Sequence, residues 1–248
     1  MREGIKGSSK QVALNEPDEV VIIGKPTSAL LAEVTNEAKS EEKRIAELLS
    51  KFHFDPKTVR SFDNDPWGRA VRDEYSQTPL STDGAVRRGG RFNFKPRSEV
   101  LAARVLYVGD SEKTALTECT HGLRPIHSFK YFPVIVDLQR VWDLRTAEAC
   151  ETNGIQRDIL LSVEHESWEY FQDVLMIPAY SQKIGAFAFD HSEIEAIAYP
   201  SARINNGGCL AIFLDKLLFG STVVVVNPVQ GTAVIRFDGI KPLSISTD

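Results

Sequence analysis

Cysteine is scarce in this chain: Cys119, Cys150 and Cys209 stand far apart and form no C-x-x-C pair. Such spacing supplies no disulfide framework, and the five scattered histidines add no metal-ligand pattern, so reduced thiols and no metal are expected. Long apolar runs are missing as well. No stretch approaches the roughly 18 apolar residues that cross a bilayer, and the opening "MREGIKGSSKQ" lacks an apolar segment of signal-peptide length. A cytoplasmic protein with no membrane contact is the expectation. Net positive charge is also lacking, the formal value being −5. Binding to nucleic acid ordinarily shows as a broad basic surface, so no direct nucleic-acid partner is expected.

What is present suits one sizeable core, with 248 residues of which 42% are hydrophobic. Residues 1–55 differ from the rest and are read as an N-terminal accessory extension to a main domain of residues 56–248. The extension holds a strand candidate, "EVVIIG", and then "NEAKSEEKRIAELLSKF", where Ala38, Ile45, Leu48 and Leu49 fall near one helical face. The next stretch, "FDNDPWGRAVRDEYSQTPLSTDGAVRRGG", is rich in turn-forming residues and is expected to be a long, partly functional loop.

From Arg104 the pattern sharpens. "RVLYVG" reads as a strand, and "SEKTALTECTHG" as a short helix with Ser111 as N-cap, Glu112 in the first turn and Gly122 as the stop. "YFPVIVDL" and "VWDL" read as strands, "GIQRDILLSVEHESWEYFQDVL" as helix in one or two pieces, and "PAYSQKIGAFAFDH" as a helix opened by Pro178. Strand candidates dominate the remainder: "EAIAYPS", "CLAIFL", "TVVVVN" and "TAVIRF". With no regular strand–helix alternation, the class is α+β with a largely antiparallel sheet.

Against the acidic total, six basic residues and one acidic residue lie between Arg87 and Arg104, around "GGRFN" at 89–93. Most basic runs are solvated loops, yet arginine beside flexible glycine backbone is also what a phosphate or pyrophosphate requires. Arg91 is the central candidate, with Phe92 and Asn93 beside it. Tyr107 and Leu106 must face opposite sides of their strand, so one is core and the other can line a cleft. Tyr107 has a face for stacking and a hydroxyl for hydrogen bonding, although a packed core tyrosine is the commoner outcome. Glu118 shares a helix face with Thr114, near Ala115 and Leu116. Most helix glutamates simply face solvent. Ser201 closes "AIAYPSAR", where a capping role explains most serines, and there is no G-x-S-x-G elbow to suggest a serine hydrolase.

Taken together and in order, "GGRFN", "VLYVGDSEKTALTEC" and "AIAYPSAR" followed by "GGCLAIF" resemble the RES domain, over roughly residues 58–237. "SQKIGAFAF" is similar to the family's helix before the serine strand. The resemblance implies an ADP-ribosyltransferase-like fold: a compact core of mostly antiparallel strands surrounded by helices around an NAD+ cleft. It implies a toxin that destroys NAD+ by phosphorolysis or hydrolysis of the nicotinamide–ribose bond, with growth arrest as the consequence. Arg91, Glu118 and Ser201 match the family's catalytic arginine, glutamate and serine, and Tyr107 its cleft tyrosine. A second cleft arginine stays open between Arg69 and Arg88, with Arg60 a weaker choice. NAD+ would be substrate rather than cofactor, with inorganic phosphate as a co-substrate, and an Xre-type helix-turn-helix antitoxin is the implied partner. The N-terminal segment is left with covering the cleft, homo-oligomerisation or antitoxin contact. Two other readings remain: ADP-ribosyl transfer to a protein, and a catalytically silent module that binds a nucleotide or partner.

Overall fold

Strands form where apolar residues alternate or run together, and in this chain they build one sheet that nearly closes on itself. The computed structural model describes residues 28–95, 103–120, 127–163, 167–226 and 233–237. "EVVIIG" and Gly122 lie outside them. The seven strands among the described residues are β1 (Val59–Arg72), β2 (Val105–Gly109), β3 (Phe129–Asp143), β4 (Ala196–Pro200), β5 (Gly208–Phe213), β6 (Thr222–Val226) and β7 (Ala233–Phe237), in the order β1-β2-β5-β4-β3-β6-β7. β1 pairs along its length with β3 and, at Gly68 opposite Gly109, with β2, so β1, β2, β5, β4 and β3 form a ring. Every pairing is antiparallel except β3 with β4. The class is α+β with a mostly antiparallel sheet.

The first part of the expected loop at 62–90 is instead the end of β1, a strand 14 residues long, followed by a helical turn and the short α2 (Asp83–Arg88). Asn64 at φ 52° and register shifts on either side of Phe62 mark a bulge, after which Pro66 continues the strand opposite Ile135. Bulges admit the Asn, Asp and Pro that otherwise read as turn residues. β3 likewise runs unbroken through "YFPVIVDLQRVWD" rather than as two strands.

Side-chain alternation divides the core in two. Leu106, Val108, Ala196, Ala198, Leu210 and Ile212 point into a strand-lined core with Phe62, Trp67 and Leu138. Val105, Ile197, Tyr199, Cys209, Ala211 and Phe213 point the other way, toward the helices. Those helices are α1 (Ser28–Leu49), α3 (Glu112–Cys119), α4 (Ala147–Thr152), α5 (Arg157–Leu160), α6 (Trp168–Tyr170), which runs into a π-helical turn at Phe171–Leu175, and α7 (Tyr180–Asp190). The helical stretch expected around 154–175, in one or two pieces, is therefore several shorter ones. In α1, Ile45 is buried in the helical core, with Ala38, Leu48 and Leu49 packed against it. Phe52 and Phe54 follow it and meet the Trp142 ring at a tilt and edge-on, so residues 28–54 share the core of the main domain.

Candidate active site

The antiparallel order β2-β5-β4 makes β2 and β4 run in the same direction, so the segments that leave them emerge at the same edge of the sheet. β2 leads into α3, whose N-terminus is capped by the Ser111 hydroxyl accepting from Thr114 N, and α3 carries Glu118. β4 leads into a turn that begins with Ser201. Strand direction thus brings two residues 83 apart in sequence into contact.

Ser201 Oγ donates to Glu118 Oε1 at 2.5 Å, and the Ala202 amide donates to the same oxygen at 3.0 Å. Ser201 Oγ also accepts from the amides of Arg203 (3.1 Å) and Ile204 (2.9 Å). One serine therefore closes its own turn and aims a carboxylate, whose other oxygen, Oε2, accepts no hydrogen bond among the described residues.

Glu118 lines a half-open cleft of about 270 Å³. Its floor is the helix-facing side of β2, β5 and β4: Val105, Tyr107, Cys209 and Tyr199. Burial raises the Tyr107, Tyr199 and Cys209 pKa values far above their ordinary range, so the floor is neutral. The charged groups stand around it: Arg69, Arg91 and Arg203 against Glu118 and Glu169.

Arg91 is 8% exposed, and its Nη1 donates to the carbonyls of Leu160 (2.8 Å) and Ser162 (3.3 Å). Those bonds hold the planar fork in one orientation. Arg69, from β1, donates from Nη2 to Ser81 O at 2.7 Å, while its Nη1 is buried without a hydrogen-bond partner among the described residues. Desolvation brings the Arg69 pKa down from 12.5 to about 10, against a small opposing pull from Cys119. An unpartnered buried donor costs about 1–3 kcal/mol, and more when it is charged.

The residues singled out from the sequence are thus distributed unevenly. Arg69, Arg91, Tyr107 and Glu118 line one cleft, and Ser201 stands behind it, reaching it through Glu118. The Tyr107 hydroxyl is occupied: it donates to Asn93 Oδ1 at 2.7 Å and accepts from Phe92 N at 2.9 Å, leaving the ring for the cleft. Arg88, Phe92 and Asn93 do not line the cleft. Phe92 turns into the helical core, 1% exposed, and meets Tyr199 edge-on at 4.8 Å. Asn93 braces the loop by donating from Nδ2 to Ala85 O at 2.7 Å, and the exposed Arg88 side chain lies at the end of α2. Arg60 pairs with Asp143 in a separate concavity. Arg203, Trp168, Glu169 and Cys119 also line the cleft and went unseen in the sequence. Only for Arg203 was a signal present, two residues beyond Ser201 in "PSAR".

A family model described as "RES domain" matches residues 66–228. Comparison with curated proteins finds no match. Among solved structures, the chain is similar to the crystal structure of the M. tuberculosis MbcT–MbcA toxin–antitoxin complex, at 18% identity and a TM-score of 0.46, covering 78% of this chain and 90% of that one.

Proposed function

Since the chain belongs to the RES domain family, we propose that it is an NAD+-cleaving toxin enzyme working in the cleft between Arg69, Arg91 and Glu118. One observation carries the reading: a carboxylate aimed by Ser201 shares a small cleft with three arginines, Arg69, Arg91 and Arg203. Breaking the nicotinamide–ribose bond builds positive charge on the ribose, beside a phosphate-bearing segment that is negative. A site for that reaction needs an anion fixed near the ribose and cations fixed near the phosphates.

Arg69 and Arg91 hold the pyrophosphate through charge-assisted hydrogen bonds, and Tyr107 offers its ring to the substrate. Glu118 stabilises the oxocarbenium-like ribose. The C1–N bond breaks with its electron pair going to the ring nitrogen, so cationic nicotinamide leaves neutral. Inorganic phosphate then bonds to C1 and gives ADP-ribose-1″-phosphate; water in its place gives ADP-ribose and a proton. Ser201 acts as a positioning residue for Glu118. Arg203 supplies the further cationic contact that an incoming phosphate requires. NAD+ is substrate and no resident cofactor is invoked. The fold is assigned to the ADP-ribosyltransferase-like type, and an Xre-type helix-turn-helix antitoxin is the partner that the resemblance implies.

The test is incubation of the purified protein with NAD+, with and without inorganic phosphate, and identification of products by mass spectrometry. Nicotinamide with phosphate-dependent ADP-ribose-1″-phosphate is the expected result, and phosphate-independent ADP-ribose would assign hydrolysis. Intact NAD+ in both tubes would remove the reading and turn attention to protein acceptors.

A further inference from the structure

Two glutamines are buried behind the basic loop: Gln172 in the π-helical turn at 2% exposed and Gln182 in α7 at 1% exposed. A buried amide has to find several partners, and both find theirs in the backbone of residues 88–95. Gln182 Nε2 donates to Gly90 O (3.1 Å), Asn93 O (3.4 Å) and Gln172 Oε1 (3.2 Å), while its Oε1 accepts from Ala179 N (3.0 Å) at the start of α7. Gln172 Nε2 donates to Arg88 O (2.5 Å), and its Oε1 accepts from Lys95 N (3.0 Å). Arg91 sits midway between these anchors. Gly89 is shaped by the same pair: at φ 79° a Cβ there would lie 2.2 Å from Gln172 Oε1.

We infer that Gln172 and Gln182 are the positioning residues of Arg91, a joined amide pair that clamps the loop from both ends so that the guanidinium meets the substrate's phosphates in one place. The inference rests on the NAD+ reading for what Arg91 touches, and on the hydrogen bonds alone for what the glutamines do. Arg91 is assigned to binding the phosphates, so a misplaced loop weakens substrate capture while leaving Glu118 and its chemistry in place.

The experiment uses the full chain with Gln182→Met, Gln182→Glu and Gln172→Met, and with Lys183→Ala, an exposed neighbour on the same helix, as the control. Gln182→Glu keeps the acceptor for Ala179 N but turns a donor into an acceptor facing three oxygens. For the folded glutamine variants, KM for NAD+ rises about tenfold while kcat stays within about twofold. Amide hydrogen exchange accelerates across residues 88–95 and not in β4 or β5, and the control matches the parent in both. Unchanged KM and unchanged exchange at 88–95 in a folded variant overturn the inference. So does exchange that rises across every strand with no split between KM and kcat, which would mark a role in stability only. If the parent chain leaves NAD+ intact, the functional reading falls separately, and exchange at 88–95 still decides whether the glutamines hold the loop.

Discussion

A serine hydroxyl can donate one hydrogen bond and accept two, and Ser201 does all three, to Glu118 and from the amides of Arg203 and Ile204. That saturation places the residue one step behind the reacting atoms. Tyr107 is similarly saturated at its hydroxyl by Phe92 and Asn93. Arg69 is the opposite case, a buried donor whose Nη1 has no partner among the described residues. Residue chemistry therefore separates saturated groups that hold the site from one whose donors are not all used. Glu118→Gln preserves the shape and the acceptor oxygen that Ser201 and Ala202 address, and removes only the charge. NAD+ cleavage by that variant falls about 10²–10³-fold with thermal unfolding nearly unchanged, the size associated with losing one preorganised electrostatic contact. Nicotinamide release and a melting curve check it; cleavage near the parental rate in a folded Glu118→Gln would show that the carboxylate's charge is not used.

At the scale of elements, α7 acts as the mould for the basic loop. Gln182 and Gly185 are three residues apart and share a face, and that face meets the loop. A Cβ on Gly185 would lie 2.0 Å from the Phe92 carbonyl oxygen, so helix and loop touch backbone to backbone. Gly185→Ala must push them apart. The expected cost is about 1–3 kcal/mol of stability, as for other overpacked contacts, together with a raised KM for NAD+. Denaturant unfolding combined with steady-state kinetics measures both, and an alanine variant with parental stability and KM would mean that the contact can relax freely. Helices α3 and α7 and strands β2 and β4 to β7 were legible from apolar period and capping signals, and β3 was legible as two strands rather than one. β1 was not, because its bulge collects residues that elsewhere make turns, and the partner that holds it extended, β3, is distant in sequence, the pairs running from Arg72 with Phe129 to Val59 with Trp142.

For the whole molecule, the ring of five strands sets one core inside and presents its outer face to the helices, and the cleft lies where that outer face is left partly uncovered. α1 belongs to this covering layer. Ile45 is 3% exposed among residues from α4, α5, α7 and β5. Ile45→Ala accordingly lowers the stability of the entire domain by about 2–5 kcal/mol, the usual range for emptying a buried aliphatic site. Denaturant unfolding followed in the β core reads this directly: a loss below about 0.5 kcal/mol, the range typical of surface positions, would place α1 outside the folding unit. What the sequence determined by itself was local: which segments alternate, where helices begin, and the three motifs whose order marks the family. Arg91, Glu118 and Ser201 could be named because each sits in a short run that carries its own pattern. Which arginine joins them was decided only by tertiary structure. Arg69 reaches the cleft through the pairing of β1 with β2 and β3, and Trp168 through the helical layer. Side-chain period encodes which face a residue takes on its own element, but which elements then face one another depends on long-range strand order, to which no short stretch of sequence has access.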